Sequence, residues 1–195
     1  RYQARADLRS WAALRDFLFR SAPVEHEGEI VQQFGLYIDV TDRKEHERRL
    51  RRFQDRSQAL IDADSASEIA QVATDIADEI LDLPLSGVHL FEDDGLELPA
   101  VSVTPTVHDH FERLPQYDLS GEQNPAETII ARLLDTGESF VCEDTHESEV
   151  LEGRESPARS VIIQPLGTHG VFIASSPEAN AIDKNSRVLT EMLSA

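Results

Sequence analysis

Residues 160–175 read SVIIQPLGTHGVFIAS. Two apolar runs, 160–166 and 169–175, flank Gly167-Thr168, and neither alternates apolar with polar side chains. Strands made from them would be buried on both faces, so the stretch predicts an antiparallel hairpin at the centre of a sheet. The segments around it supply what could cover those faces. Upstream, Ser65-Ala66-Ser67-Glu68 has the form of a capping box, and Ile69, Val72, Ala73, Ile76, Ala77 and Ile80 then fall on one helical face. Asn124-Pro125-Ala126-Glu127 combines an N-cap, a proline at the first helical position and a capping-box Glu, and Gly137 follows, so a helix is predicted over 125–135. Downstream, Asp183 caps a last helix.

The remaining segments complete the sheet. Residues 85–91 and 97–103 read as strands of a hairpin around Glu92-Asp93-Asp94-Gly95, and 139–143 as a brief strand before an acidic loop, 144–158. Residues 104–123 have no clean period and contain Pro105, Pro115 and Gly121. They form a long connection with one helical turn around 107–114, and loops of that length tend to be functional. The order is that of an α+β fold, an antiparallel sheet with flanking helices.

That order resembles the GAF domain family, with three phrases carrying the likeness: Leu-Asp-Leu-Pro-Leu-Ser-Gly-Val-His-Leu-Phe at 81–91, Thr-Gly-Glu-Ser-Phe-Val-Cys-Glu-Asp at 136–144, and the hairpin at 161–175. The resemblance covers residues 65–195. It implies a ligand pocket between the sheet and the connection 104–136, within reach of His110, Phe111 and Tyr117; simple anchoring of the loop is the alternative for all three.

Further upstream, residues 1–40 read as three strands, at 2–6, 11–24 and 29–40, with a turn at Glu27-Gly28. They end in Asp-Val-Thr-Asp-Arg-Lys at 39–44, which resembles the end of PAS sensor domains. In that family Asp39, Thr41, Asp42 and Arg43 would couple the last strand to an outgoing signalling helix. The earlier PAS strands are missing, so residues 1–41 are expected to be an incomplete PAS β-meander in an excised piece of a longer protein. Trp11, Phe17 and Phe19 then read as packing residues.

Between the two domains, residues 42–64 contain no Pro or Gly, and Asp42 with Glu45 has the spacing of a capping box. A long linker helix is expected. Leu50, Phe53 and Leu60 make a sparse stripe along it, which suits either a helix lying on the next domain or the seam of a parallel coiled coil in a homodimer. PAS end, linker helix and GAF domain in tandem resemble the sensory halves of haloarchaeal histidine kinases and of bacterio-opsin-activator-like transcription regulators. The function implied is a cytoplasmic sensory module, with a ligand-free dimerisation scaffold as the competing reading.

Charge is unevenly placed along the 195 residues, whose net charge is −19. Up to position 59, twelve basic residues stand against ten acidic; beyond it, six stand against twenty-seven. The second part would repel nucleic acid. Lysine is confined to Lys44 and Lys184, a balance that resembles proteins of salt-accumulating archaea. No apolar run approaches the roughly 20 residues that span a bilayer, and membrane insertion is not expected.

The single cysteine, Cys142, excludes an internal disulfide and reads as a small buried hydrophobe. His108, His110 and His146, near Asp109 and Asp144, are the residues from which a zinc-like site would have to be built, but solvated loop histidines are commoner and no metal is expected. His89 shares a strand face with Gly87 and Phe91, where a packed, hydrogen-bonded imidazole is the default. There is no phosphate loop, nucleophile elbow or zinc-protease helix, and no catalytic residue is assigned. The free methionine sulfoxide reductases, which share the GAF fold, use more than one cysteine. No cofactor is named by the sequence.

Overall fold

The computed structural model describes residues 15–92, 95–148, 150–151 and 156–194. The strand expected at 2–6, the start of the one at 11–24, and Trp11 lie outside the described residues. Two compact units divide between Leu50 and Arg51.

In the first unit β1 (Phe17–His26) pairs antiparallel with β2 (Glu29–Asp39), with a register shift between Val24 and Glu25. Glu27 and Gly28 both take positive φ in the turn. Large apolar side chains of both strands, among them Phe34 and Tyr37, are more than half exposed. Helix α1 (Thr41–Asp62) follows β2. It begins one residue before Asp42, so Asp42 stands inside the first turn and does not cap it. The tie is made by Asp39, whose Oδ1 accepts from the Thr41 amide (3.0 Å) and from Thr41 Oγ1 (2.7 Å). An extended residue with an acceptor two positions ahead meets the first unpaired N–H of the helix, which a carboxylate already in the helical turn does not.

The second unit is built on a five-stranded antiparallel sheet in the order β5-β3-β9-β8-β7, with β3 Gly87–Leu90, β5 Ala100–Val103, β7 Phe140–Cys142, β8 Ser160–Pro165 and β9 Gly170–Ser176. The predicted hairpin at 160–175 is at its centre. The strand expected at 97–103 is interrupted instead: β4 (Glu97–Leu98) leaves the sheet to pair with β6 (Tyr117–Asp118), and only β5 joins β3. Pro99, which has no N–H to give a ladder, stands at the break.

One face of the sheet carries Val88, Ile162, Phe172 and Ala174, packed with α2 (Ala66–Glu79), α5 (Lys184–Leu193) and Phe53. Ser65 caps α2 by accepting from Glu68 N (3.2 Å), but Glu68 reaches back to the Asp64 amide (2.8 Å), one residue beyond the expected box. The buried stripe of α2 also differs from the expected one. Ala70, Ala73, Thr74, Ile76 and Ala77 are inside, whereas Ile69 is 46% exposed. Small residues at 70 and 74 let α2 approach β5 closely enough for a bond between Thr74 Oγ1 and Ser102 Oγ (2.8 Å), and that approach sets the helix's rotation.

The opposite face carries Val161, Ile163, Val171 and Ile173 and packs against α4 (Pro125–Thr136). Helix α4 has both bonds of its predicted capping box and ends at Gly137 in the left-handed conformation. Gly170, at the start of β9, has φ +152, and a Cβ there would lie 2.0 Å from the His89 carbonyl oxygen. Only glycine lets β9 come that close to β3.

Candidate functional site

Strand alternation sends Gly87 and His89 to the face opposite Val88. There they meet a cavity of about 110 Å³ roofed by the long connection and by the loop after β7. Ile163 and Ile173 come from the central strands, Val107 from α3 (Val107–His110), Ala126 and Ile130 from α4, and Thr145 and Ala158 from the acidic loop. Among the described residues lining it there is no Lys, Arg, Asp or Glu.

The wall is tied together through α4. Glu127, at the third position of that helix, accepts from the Asn124 amide (2.8 Å) and from the Asp118 amide of β6 (3.2 Å). Its carboxylate is buried, and these N–H donors compensate its lost hydration. One side chain thus joins the strand bearing Tyr117 to the helix bearing Ala126 and Ile130. At the rim, Arg159 pairs with Asp144 and holds that carboxyl below the ordinary range.

Of the three residues named for the pocket from sequence, Phe111 and Tyr117 line the cavity. His110 is exposed and does not line it. It closes a single helical turn on the outer side, while Val107, one turn earlier, is the residue buried.

His89, expected from sequence to be a packed, hydrogen-bonded imidazole, lines the cavity. It is only 2% exposed, and its ring meets Tyr117 edge-on with centroids 4.9 Å apart. Its Nδ1 is sealed from solvent and has no hydrogen-bond partner among the described residues. Burial pushes the imidazole down to about 4, and the backbone of Leu98 opposes this weakly. The ring is therefore neutral at pH 7. Packing was legible from the alternation of Gly87, His89 and Phe91; the missing partner was not, because it depends on segments distant in sequence. Three hydroxyls of the lining donate to carbonyls of the chain: Ser86 Oγ to Leu83 (2.6 Å), Thr145 Oγ1 to Ala158 (2.8 Å), and Ser175 Oγ to Leu85.

Solved structures with this architecture include a GAF sensor protein of Burkholderia vietnamiensis, at 18% identity and TM-score 0.54 over 77% of this chain and 85% of that one. The fold is that of a GAF domain. The free methionine-R-sulfoxide reductase of Neisseria meningitidis, solved in complex with its substrate, is similar at 16% identity and TM-score 0.56 over 73% of this chain and 81% of that one. The chromophore-binding domain of Stigmatella aurantiaca bacteriophytochrome is similar at 11% identity and TM-score 0.57, over 90% of this chain and 66% of that one. No family model and no curated protein matches the sequence.

Within the GAF fold Cys142 is buried on β7. Among the described residues no group of three His, Cys, Asp or Glu side chains is placed to hold a metal ion, and no helix is long and apolar enough to cross a membrane. Of the linker stripe, Phe53 is 3% exposed in the core of its own chain, Leu60 packs beside it, and Leu50 is 38% exposed. Arg56 on the same helix bonds Glu79 of α2 at 2.7 Å. The residues expected at the strand-to-helix joint fall into two groups. Asp39 and Thr41 bond each other, Asp16 N donates to Thr41 Oγ1 (2.9 Å), and Arg15 reaches Asp39 (3.1 Å). Asp42 lies in the first turn, and Arg43 is an exposed i,i+4 neighbour of Glu47.

Proposed function

We propose that this chain is a sensory module in which occupancy of the GAF cavity biases the packing of the helix that precedes the domain, and through it an effector elsewhere in the protein. The observation that carries this reading is strand β3. His89 faces the cavity, and its neighbour Val88 belongs to the core that contains Phe53 of α1. A sheet one residue thick cannot shift on one face without shifting on the other, because packed interiors transmit displacement. Neighbours of this fold include sensor proteins and a chromophore-binding domain, which supports a signalling role.

The finer assignment is the end of a PAS domain at residues 1–41, a signalling linker at 42–64 and a GAF domain at 65–195, in a histidine kinase. The bonded pair Asp39 and Thr41 between β2 and α1 favours a PAS-type coupling. The balance of charge favours a salt-accumulating archaeal source and a cytoplasmic setting. A bacterio-opsin-activator-like transcription regulator is the alternative parent. A homodimer joined through α1 would use exposed positions such as Leu50, since Phe53 is used inside the chain; the terminal helices of the GAF unit are the alternative interface. Enzymatic activity is not proposed, because among the described residues no serine or threonine hydroxyl that lines the cavity is bonded to His89.

Native mass spectrometry of the purified chain, with and without Leu50→Glu, tests the reading. A retained small molecule and a dimer lost in the variant are expected. A chain that retains no ligand and never dimerises would refute it, and a ligand-free dimer would favour a pure scaffold.

A further inference from the structure

The polar side chains around the cavity spend their protons on the chain itself. Ser86, Thr145 and Ser175 donate to the carbonyls of Leu83, Ala158 and Leu85. Nδ1 of His89 is sealed off without a partner among the described residues. The bond with the Leu98 backbone therefore belongs to Nε2 and takes the one proton of the neutral ring. Tyr117 is engaged, its ring lying edge-on against His89. Ser156 accepts from the Ala158 amide (3.2 Å) and is only half-buried, so its own proton can go to water. Among the described residues, no side-chain donor of the lining is left for an acceptor on a ligand.

The rest of the wall is largely hydrocarbon, with Val103, Val107, Phe111, Ile130, Ile163 and Ile173 in it. The volume, about 110 Å³, is near that of cavities that hold a benzene ring, roughly 150 Å³. Nucleotides and tetrapyrroles exceed it. An ion would lose its hydration and meet no counter-charge in the described lining. A carbonyl on a ligand would give up its hydrogen bonds to water and find no donor to replace them, whereas a hydrocarbon gives up none.

We propose that the cavity binds a compact, uncharged single-ring compound without a hydrogen-bond acceptor, held by packing against Phe111, Ile130, Ile163 and Ile173. This rests on the sensory reading and names its ligand class. Such a ring presses on β8 and β9 through Ile163 and Ile173, and the next residues along, Ile162 and Phe172, belong to the core that contains Phe53 of α1. Packing alone can therefore carry its presence to the linker helix.

The test uses toluene, benzaldehyde and benzoate as probes on the full chain, with binding followed by calorimetry and by the ¹³C shifts of the isoleucine methyls. Toluene is expected to bind and to move the methyls of Ile130, Ile163 and Ile173. Benzaldehyde, close in shape but with one acceptor added, should bind about tenfold more weakly, the cost of an unmet hydrogen bond, and benzoate not at all at the same concentrations. Ala126→Leu and Ala158→Leu add bulk to the lining and should each weaken toluene by about tenfold or more; the methyl shifts of the unaltered chain decide the matter if neither variant folds. Benzaldehyde or benzoate binding as tightly as toluene would overturn the proposal. So would failure of toluene to bind, toluene binding that leaves those three methyls in place, or toluene binding unchanged in both folded variants. Recovery of a charged or larger molecule from the purified chain would overturn this ligand class and leave the sensory reading standing. A chain that binds none of the probes, retains nothing and never dimerises would overturn both.

Discussion

Lowering the pH from 7.5 to 4.5 should remove a defined share of stability through His89 alone. The folded ring titrates at about 4, against 6.5 for an ordinary histidine. Its folded value is depressed, so the unfolded chain takes up the proton first as pH falls. The contribution is fully present above about pH 6.5 and is lost progressively as pH falls towards 4. One pH unit is worth about 1.4 kcal/mol where only the unfolded form binds the proton, and integration from pH 7.5 to 4.5 gives a loss of about 2.5 kcal/mol. Acidic side chains titrate in the same region, so the measurement is a difference. Urea unfolding of the natural chain and of His89→Phe, at half-unit steps of pH, should give curves that converge by about 2.5 kcal/mol, the natural chain falling faster. No carboxylate or basic side chain among the described residues lines the cavity beside the ring to blur that difference. Parallel curves would refute the reasoning, because they would mean that the buried ring titrates as it does in the unfolded chain.

Gly170→Ala should destabilise the second unit by about 3 kcal/mol, since its Cβ would enter the space of the His89 carbonyl; a melting temperature within a degree of the natural one would contradict this. Asn124→Ala should cost about 1 kcal/mol by removing a cap from α4, measured by urea unfolding, and should leave the β-sheet signal of the native state unchanged. Raising potassium chloride from about 0.1 M to 1 M shortens the screening length from roughly 10 Å to 3 Å. With twenty-seven acidic and six basic residues beyond position 59, the melting temperature should rise steeply over that range, and a flat profile would mean that local pairing already balances the surface.

Most of the second unit was legible because its signals are local. The capping residues of α4 lie within four positions of each other, and the hairpin at 160–175 states its own turn and its own burial. Local signals also explain what was missed. Ile69 satisfies helical periodicity but lies outside, since the close approach of α2 to β5 is set by Ala70, Thr74 and Ser102, from two separate elements. The helix start was placed at Asp42 because the capping-box spacing fits, whereas the residue that ties it, Asp39, still belongs to the strand. For the site, Phe111 and Tyr117 could be named as apolar residues on a long connection. That His89 Nδ1 has no partner among the described residues follows from the positions of the connection, α4 and the loop after β7, and no periodicity encodes an arrangement of distant segments.

The close contact of Gly170 with His89 has a consequence for synthesis. β3 lies between β5 and β9 in the sheet, and its second neighbour is translated only after β5, β7 and β8. Until then the nascent β3–β5 pair presents an open, apolar edge, and such edges recruit other chains. The cavity wall cannot close before the ribosome has delivered Gly170, so a chain cut short upstream of that residue would be not merely less stable but adhesive.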